Sequence, residues 1–275
     1  MIFYLLLIFT IIIIIYVIII KNRTKLYFKP NKNIKMTPKV YGIEYNDVII
    51  NKIHGWFYNN KKFISYNSGK LKSNKLIIYF NGNSGNTSTR IKHYERLQNI
   101  FTEYDFFVFD YPQFGLSEGN LDIKNIINIS FEIYLFWTNK YNDITLIGES
   151  IGAGVISELY NKLIKKKIKI MPNNIIHLNG IVSFYKIINL HIPYKLNLFI
   201  TPWIKEFNIE KIYTKHKIYL PKIILIHAID DNIVPFYFVE KMANKFNLTL
   251  ITIYGNHNNY IFTEKNIYDI LNILD

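Results

Sequence analysis

Residues 145–154 read Thr-Leu-Ile-Gly-Glu-Ser-Ile-Gly-Ala-Gly, with Gly148 and Gly152 each two positions from Ser150. A serine becomes a useful nucleophile only when its hydroxyl stands clear of the backbone beside a general base. A sharp strand-to-helix turn meets the first need. Glycines flank such a turn because a Cβ at either place would clash across the bend. The context fits, since an apolar β-branched run precedes the serine and a helix-forming run follows it. At the start of that helix the Ile151 amide would point toward a developing oxyanion, aided by the helix dipole. The competing reading is a glycine-rich turn in a Rossmann-like sheet. The strand before and the helix behind favour the nucleophile elbow.

A base and a carboxylate must come from elsewhere in the chain. Of the seven histidines, His54, His177 and His227 fall in or beside apolar runs and read as packed. His93, His191 and His216 lie in helical or irregular stretches with no matching carboxylate. His257, in Tyr-Gly-Asn-His-Asn-Asn at 254–259, follows the last strand-like run and is the base candidate. Two aspartates, Asp230 and Asp231, compete for the acid role on the turn after the run 224–229. The bland reading of either is an Asx turn. The chain order Ser, Asp, His is the one expected behind an elbow of this kind.

The elements that must position these loops are visible as short apolar runs. Strands are expected at 76–80, 106–109, 144–147, 175–178, 223–227 and 249–254, and helices near 88–100, 123–139, 151–165, 238–246 and 260–274. An antiparallel ribbon of early strands is expected within 40–63. Continuous apolar strands alternating with helices predict an α/β fold, a mostly parallel central sheet with helices on both faces. Ligands bind such sheets beyond the carboxyl ends of the strands, where every polar loop named above lies. The stretch 183–220 lacks strand signals and holds Pro193, Pro202 and Trp203. It reads as a small cap insertion over the site.

Several of these motifs together resemble the membrane-anchored α/β-hydrolase domain-containing proteins, a branch of the serine hydrolase superfamily. Asn-Gly-Asn-Ser-Gly-Asn at 81–86 is similar to their His-Gly-Asn-Ala-Gly-Asn loop. Asp-Tyr-Pro-Gln-Phe-Gly-Leu-Ser-Glu-Gly at 110–119 looks like their Asp-Tyr-Arg-Gly-Tyr-Gly-x-Ser-x-Gly segment, and Gly55-Trp56 like the Gly-Trp pair of their early hairpin. The likeness runs in order from residue 40 to 274. It implies the α/β-hydrolase fold, Asn83 as the second backbone oxyanion donor after Ile151, and His257 as base within a Gly-Thr-His-Asn-like motif. It also selects Asp231 as the acid, because two residues separate it from Val234-Pro235. Asn81 departs from the usual histidine and Pro112-Gln113 from the usual Arg-Gly, which puts the stiffness and shape of these loops in question. The activity implied is a serine hydrolase cleaving an ester or thioester, with an acyl or lipid-like substrate. A serine peptidase and a catalytically silent scaffold are the alternatives. No metal or organic cofactor is called for.

Composition bounds the rest. Half of the 275 residues are apolar, enough for a sizeable core, and cysteine is absent, which excludes disulfides, thiolate nucleophiles and Cys-based zinc sites. The net charge of +13 is almost all lysine, with arginine at positions 23, 90 and 96. Lysine lacks the fork that grips phosphates and reads bases, so a nucleic-acid partner is not expected. The densest lysine cluster, at 165–169, suits a helix end. Residues 2–20 form an apolar run long enough to cross a bilayer as a helix, and no cleavage site follows it. The organisation expected is a single-pass anchor at 1–21, a polar linker at 22–38 and a hydrolase domain at 39–275, in a monomer. The lysine-rich flank after the anchor places the catalytic domain on the cytoplasmic side. The sequon at Asn86, beside the expected mouth, fits a compartment without glycosylation.

Overall fold

The computed structural model describes residues 4, 7, 9–11, 13, 14, 17, 24, 25, 27–59, 74–191, 207–217 and 220–274. Its strands are β1 (Lys29–Pro30), β2 (Asn46–Ile50), β3 (Ile53–Tyr58), β4 (Lys75–Phe80), β5 (Ser84–Gly85), β6 (Asp105–Phe109), β7 (Asp143–Glu149), β8 (Asn174–Leu178), β9 (Lys222–Ala228), β10 (Thr249–Gly255) and β11 (Tyr260–Ile261). Its helices are α1 (Ile91–Ile100), α2 (Ile123–Thr138), α3 (Ile151–Lys165), α4 (Phe184–His191), α5 (Ile209–Lys215), α6 (Phe236–Phe246) and α7 (Glu264–Leu274).

Nine strands make one sheet in the order β11-β10-β9-β8-β7-β4-β6-β3-β2. From β6 to β10 every pairing is parallel. The hairpin β2–β3 and the short β11 add antiparallel edges. The hairpin turns on Asn51 and Lys52, both with positive φ, which matches the right-handed twist of its strands. Alternation along β4 divides the core. Leu76, Ile78 and Phe80 face the side covered by α2, α3, α5 and α6, while Ile77 and Tyr79 face α1 and α7. Each such side chain contributes roughly 1.5–3 kcal/mol on burial. Because β4 and β7 are buried on both faces, their carboxyl ends are held rigidly, and the loops at 81–86 and 149–152 start from there.

The expected strands and major helices are present, with two shifts. The last helix begins at Glu264 rather than near 260, because Tyr260 and Ile261 first pair with β10. The first one is preceded by a 3₁₀ turn, Thr87–Thr89, capped by the Asn86 side chain. Of the expected cap, 183–220, residues 192–206, 218 and 219 lie outside the described residues, as does the far end of the early ribbon beyond 59; what is described of the cap is helical, in α4 and α5.

Where it is described, the expected linker, 22–38, packs against the body of the protein. Thr24, Lys25 and Tyr27 are helical, and Tyr27 and Phe28 are buried in the core. The polar residues around them hid two aromatic side chains that the body takes in. The expected anchor, 1–21, falls mostly outside the described residues. Among the described residues, no helix is long and apolar enough to cross a membrane. Those described in the anchor region, Tyr4, Leu7, Phe9, Ile11, Ile13, Ile14 and Val17 among them, are helical with exposed side chains.

Candidate active site

Ser150 sits between β7 and α3 with φ +54° and ψ −118°, a strained conformation for a residue with a Cβ. Such strain costs on the order of 1–3 kcal/mol and persists only where the surroundings enforce it. Here the Ser150 amide donates to the Leu178 carbonyl at 3.0 Å, and the Ser150 carbonyl accepts from Ala153 and Ile181. Gly152 is required by proximity, since a Cβ there would lie 2.2 Å from the Phe80 carbonyl oxygen. Ile151 is the first residue of α3, so its amide has no partner within the helix.

Two distant loops meet this serine. His257 Nε2 lies 3.0 Å from Ser150 Oγ, and its Nδ1 lies 2.7 Å from Asp231 Oδ2. A carboxylate only accepts, so Nδ1 carries the proton and Nε2 is left to accept from the serine hydroxyl. The second oxygen of Asp231 accepts from the amides of Ile233 at 2.9 Å and Val234 at 2.7 Å, which fixes the carboxylate plane. Asp230, its neighbour, is exposed. His227 is packed, as expected from its strand: its Nε2–H donates to the Val234 carbonyl at 2.8 Å and lies 3.3 Å from Asp231 Oδ2. Burial lowers its pKa, so it stands beside the carboxylate as a neutral donor.

The loop carrying Asn83 runs alongside the elbow, with a Cβ on Gly82 lying 3.7 Å from that of Ser150. The substitution at Asn81 does not loosen this loop. Its side chain donates to the Phe109 carbonyl at 3.0 Å and accepts from the Tyr94 hydroxyl at 2.5 Å, while its main-chain oxygen accepts from Tyr111. The amide and hydroxyl of Thr87 both donate to Asp110, at 2.8 and 2.9 Å. Burial pushes the Asp110 carboxyl up to about 6, against the pull of those Thr87 bonds. At the second departure, Gln113 adopts φ +70°, so the loop keeps a left-handed bend without a glycine. Asn86 is buried, and its side-chain amide donates to the carbonyls of Asn31 and Asn33. A glycan at that sequon is incompatible with this fold.

Two supporting groups escaped sequence reasoning. Arg90 pairs with Glu149, the residue before Ser150, tying the end of the Asn83 loop to the turn at Ser150. Burial works against the Glu149 charge, but the Arg90 guanidinium holds its carboxyl below the usual carboxylate range, helped by His93 and a Tyr79 hydrogen bond. Asn179, fully buried after β8 with φ +46°, donates to the His257 carbonyl at 3.0 Å and accepts from the Ala228 amide at 2.8 Å. An asparagine just past a strand, tolerant of left-handed backbone, was the one available hint of it. A cleft of about 650 Å³ opens beside the elbow; Ser84, Arg90, Glu149 and Asn258 are in its wall, with Lys35 and Lys92 toward solvent.

No family model matches the chain. An uncharacterized protein of Acanthamoeba polyphaga mimivirus is 29% identical over 224 residues, covering 74% of each chain. Among solved structures, an esterase of Pyrococcus furiosus superposes with a TM-score of 0.64 at 18% identity, covering 90% of this chain and 97% of that one. An esterase/lipase from an uncultured bacterium gives 0.55 at 11% identity, covering 92% and 87%. An Exiguobacterium antarcticum esterase gives 0.52 at 13%, covering 84% and 99%. The shared architecture is that of the α/β-hydrolases, and this chain has that fold.

Proposed function

We propose that this protein is a serine hydrolase that cleaves a carboxylic ester or thioester through an acyl-enzyme. The observation carrying the reading is the continuous hydrogen-bonded path from Ser150 Oγ through His257 to Asp231, at 3.0 and 2.7 Å, built from three loops far apart in sequence. A purely structural fold has no need to hold a strained serine against a histidine whose tautomer a buried carboxylate has set. In the first half-reaction His257 Nε2 takes the Ser150 proton as the oxygen attacks the acyl carbon. Asp231 stabilises the imidazolium that forms. The amides of Ile151 and Asn83 receive the negative oxygen, and His257 passes the proton to the departing alkoxide or thiolate. In the second half-reaction water gives its proton to His257, attacks the acyl-serine and restores the free hydroxyl.

The site lies in a chain whose residues 2–20 form an apolar run with Thr10 and the hydroxyls of Tyr4 and Tyr16 as its polar groups. Where they are described, their side chains are exposed on more than one side of the helix. A helix apolar all round belongs in lipid or in a protein core. On that ground residues 1–21 act as a single-pass anchor, with the lysine-rich flank and the hydrolase domain in the cytoplasm. The substrate is then an acyl or lipid-like ester or thioester met near the membrane, by a monomer with no nucleic-acid partner. Recovery of the protein in the pellet after alkaline carbonate extraction is expected; release into the supernatant would remove the anchor.

A fluorophosphonate probe tests the chemistry. The native chain is expected to label and to turn over short-chain ester or thioester substrates. Ser150→Ala should abolish labelling and lower turnover by about 10⁶-fold, as loss of the serine does in a serine hydrolase. Equal labelling of the two proteins would remove Ser150 as the nucleophile.

A further inference from the structure

The segment preceding the sheet is stitched into the loop that carries Asn83. Phe28 is fully buried, with its ring edge-on to those of Tyr111, Phe114 and Phe207, and Tyr27 packs on Phe184. From this foothold β1 runs parallel to β5, pairing Lys29 with Ser84 and Pro30 with Gly85. The Lys29 amide donates to the Asn83 carbonyl at 2.7 Å. The Asn31 carbonyl accepts from the Asn86 side chain at 2.8 Å and from the Gly115 amide at 2.9 Å. The Asn33 carbonyl takes the other Asn86 proton at 2.9 Å, and the Lys35 amide donates to Ser88 Oγ at 3.0 Å.

We infer that residues 28–35 form a strap that, by holding the Asn83 carbonyl, fixes the backbone at residue 83 and so aims its amide as an oxyanion donor, making turnover depend on chain outside the hydrolase domain proper. The inference rests on the serine-hydrolase reading above. Asn83 lies between Gly82 and, two residues on, Gly85, whose φ is +81°. Glycines leave a peptide free to reorient, so local sterics alone do not fix its direction. Asn81 is clamped on one side and Thr87 on the other, yet the tie on Asn83 itself comes from Lys29. An oxyanion donor works only when it is aimed in advance, and a misplacement of about 1 Å can cost on the order of 10²-fold in rate. Residues 21–23 alone separate the apolar run in the sequence from Thr24, the first buried side chain among the described residues. The strap therefore joins the proposed anchor to the catalytic loop with almost no slack.

Lys29→Pro in the full chain deletes the N–H that donates to Asn83. The Lys29 side chain is exposed, so nothing else buried is lost. Turnover per fluorophosphonate-titrated site is expected to fall about 10- to 100-fold, with KM changed less than about threefold and the pH profile unmoved, since loss of one donor costs about 10²–10³-fold. Lys32→Pro, the same ring at an exposed strap position, is expected to stay within about twofold of the native rate. A merely structural strap would lower the melting temperature or the titrated fraction and leave the rate per site alone; that result overturns the inference. Should Lys29→Pro not fold, the lysine α-hydroxy acid installed at position 29 removes the same N–H without a ring, and the same comparison decides. If the native chain itself shows no Ser150-dependent labelling, the hydrolase reading fails and the strap falls with it. If the native chain labels and the loss of the Lys29 N–H leaves the rate per site intact, the strap alone is wrong.

Discussion

Asp110→Asn isolates the electrostatic cost of holding the Asn83 loop with a buried carboxylate. The folded protein raises the Asp110 carboxyl from 3.8 to about 6, burial being the main cause. Between those two pH values the unfolded chain has released the proton and the folded chain still holds it. Stability from this group is therefore fully present below about pH 4 and is lost as pH rises through about 6. At ~1.36 kcal/mol per pH unit the loss amounts to about 3 kcal/mol. An asparagine cannot titrate, while its Oδ1 can still accept from the Thr87 amide and its Nδ2 can donate to the Thr87 hydroxyl. Urea unfolding of the full chain in mild detergent, at intervals from pH 4 to pH 7, measures both proteins. The native stability minus that of Asp110→Asn should fall by about 3 kcal/mol across the range, other titrating groups cancelling in the difference. Parallel curves would refute the reasoning, because they would mean that the carboxyl is already ionised throughout. Activity at pH 7 should stay within a few-fold of native in Asp110→Asn, whereas Asp110→Ala, which frees Thr87, should lose about tenfold in kcat.

Other perturbations separate the supports of the site. Glu149→Gln leaves the Arg90 charge without its partner and should cost about 3 kcal/mol, short of the largest values for buried pairs because 21% of the Arg90 side chain is exposed; denaturant midpoints would read this, and an unchanged midpoint would dismiss the pair as a support. The native advantage over Glu149→Gln should shrink in acid, since a carboxyl with a lowered folded pKa loses its stabilisation as pH falls through that value. Asn179→Asp keeps the acceptor for Ala228 but turns an oxygen toward the His257 carbonyl. A fall in kcat of roughly 10-fold or more is expected, read by esterase assay on titrated enzyme, and a native rate would exclude Asn179 as a positioning residue. At two left-handed positions opposite signs are expected in thermal melts. Gln113→Gly should gain about 0.5 kcal/mol by relieving φ +70°, and Gly115→Ala should lose more than about 3 kcal/mol, because its Cβ would stand 2.1 Å from Asp110 Oδ2.

Features written in one stretch of chain were legible before any coordinates. The elbow at 148–152 is such a feature, because its strain is confined to one turn and the glycines that permit it are local. Strand runs such as 76–80 and 144–147 were visible for a related reason: a strand buried on both faces needs an unbroken apolar run. The histidine was singled out by its place after the last strand, and the choice of Asp231 over Asp230 came from the resemblance to the α/β-hydrolase domain-containing proteins, whose acid stands two residues before a Val-Pro pair. What lay beyond reach depends on distance along the chain. Arg90 and Glu149 are 59 residues apart, Asn179 and His257 are 78, and Asn86 and Asn33 are 53. No periodicity encodes such pairs. The segment at 22–38 looked like a linker because its polar residues and prolines say only that it is no regular element. Its two decisive side chains, Tyr27 and Phe28, acquire meaning from the aromatic cavity that Tyr111, Phe114, Phe184 and Phe207 build around them. Local sterics and hydrophobic runs thus set the strands and the turn at Ser150, whereas packing across the sheet alone decided which backbone groups hold the loops still.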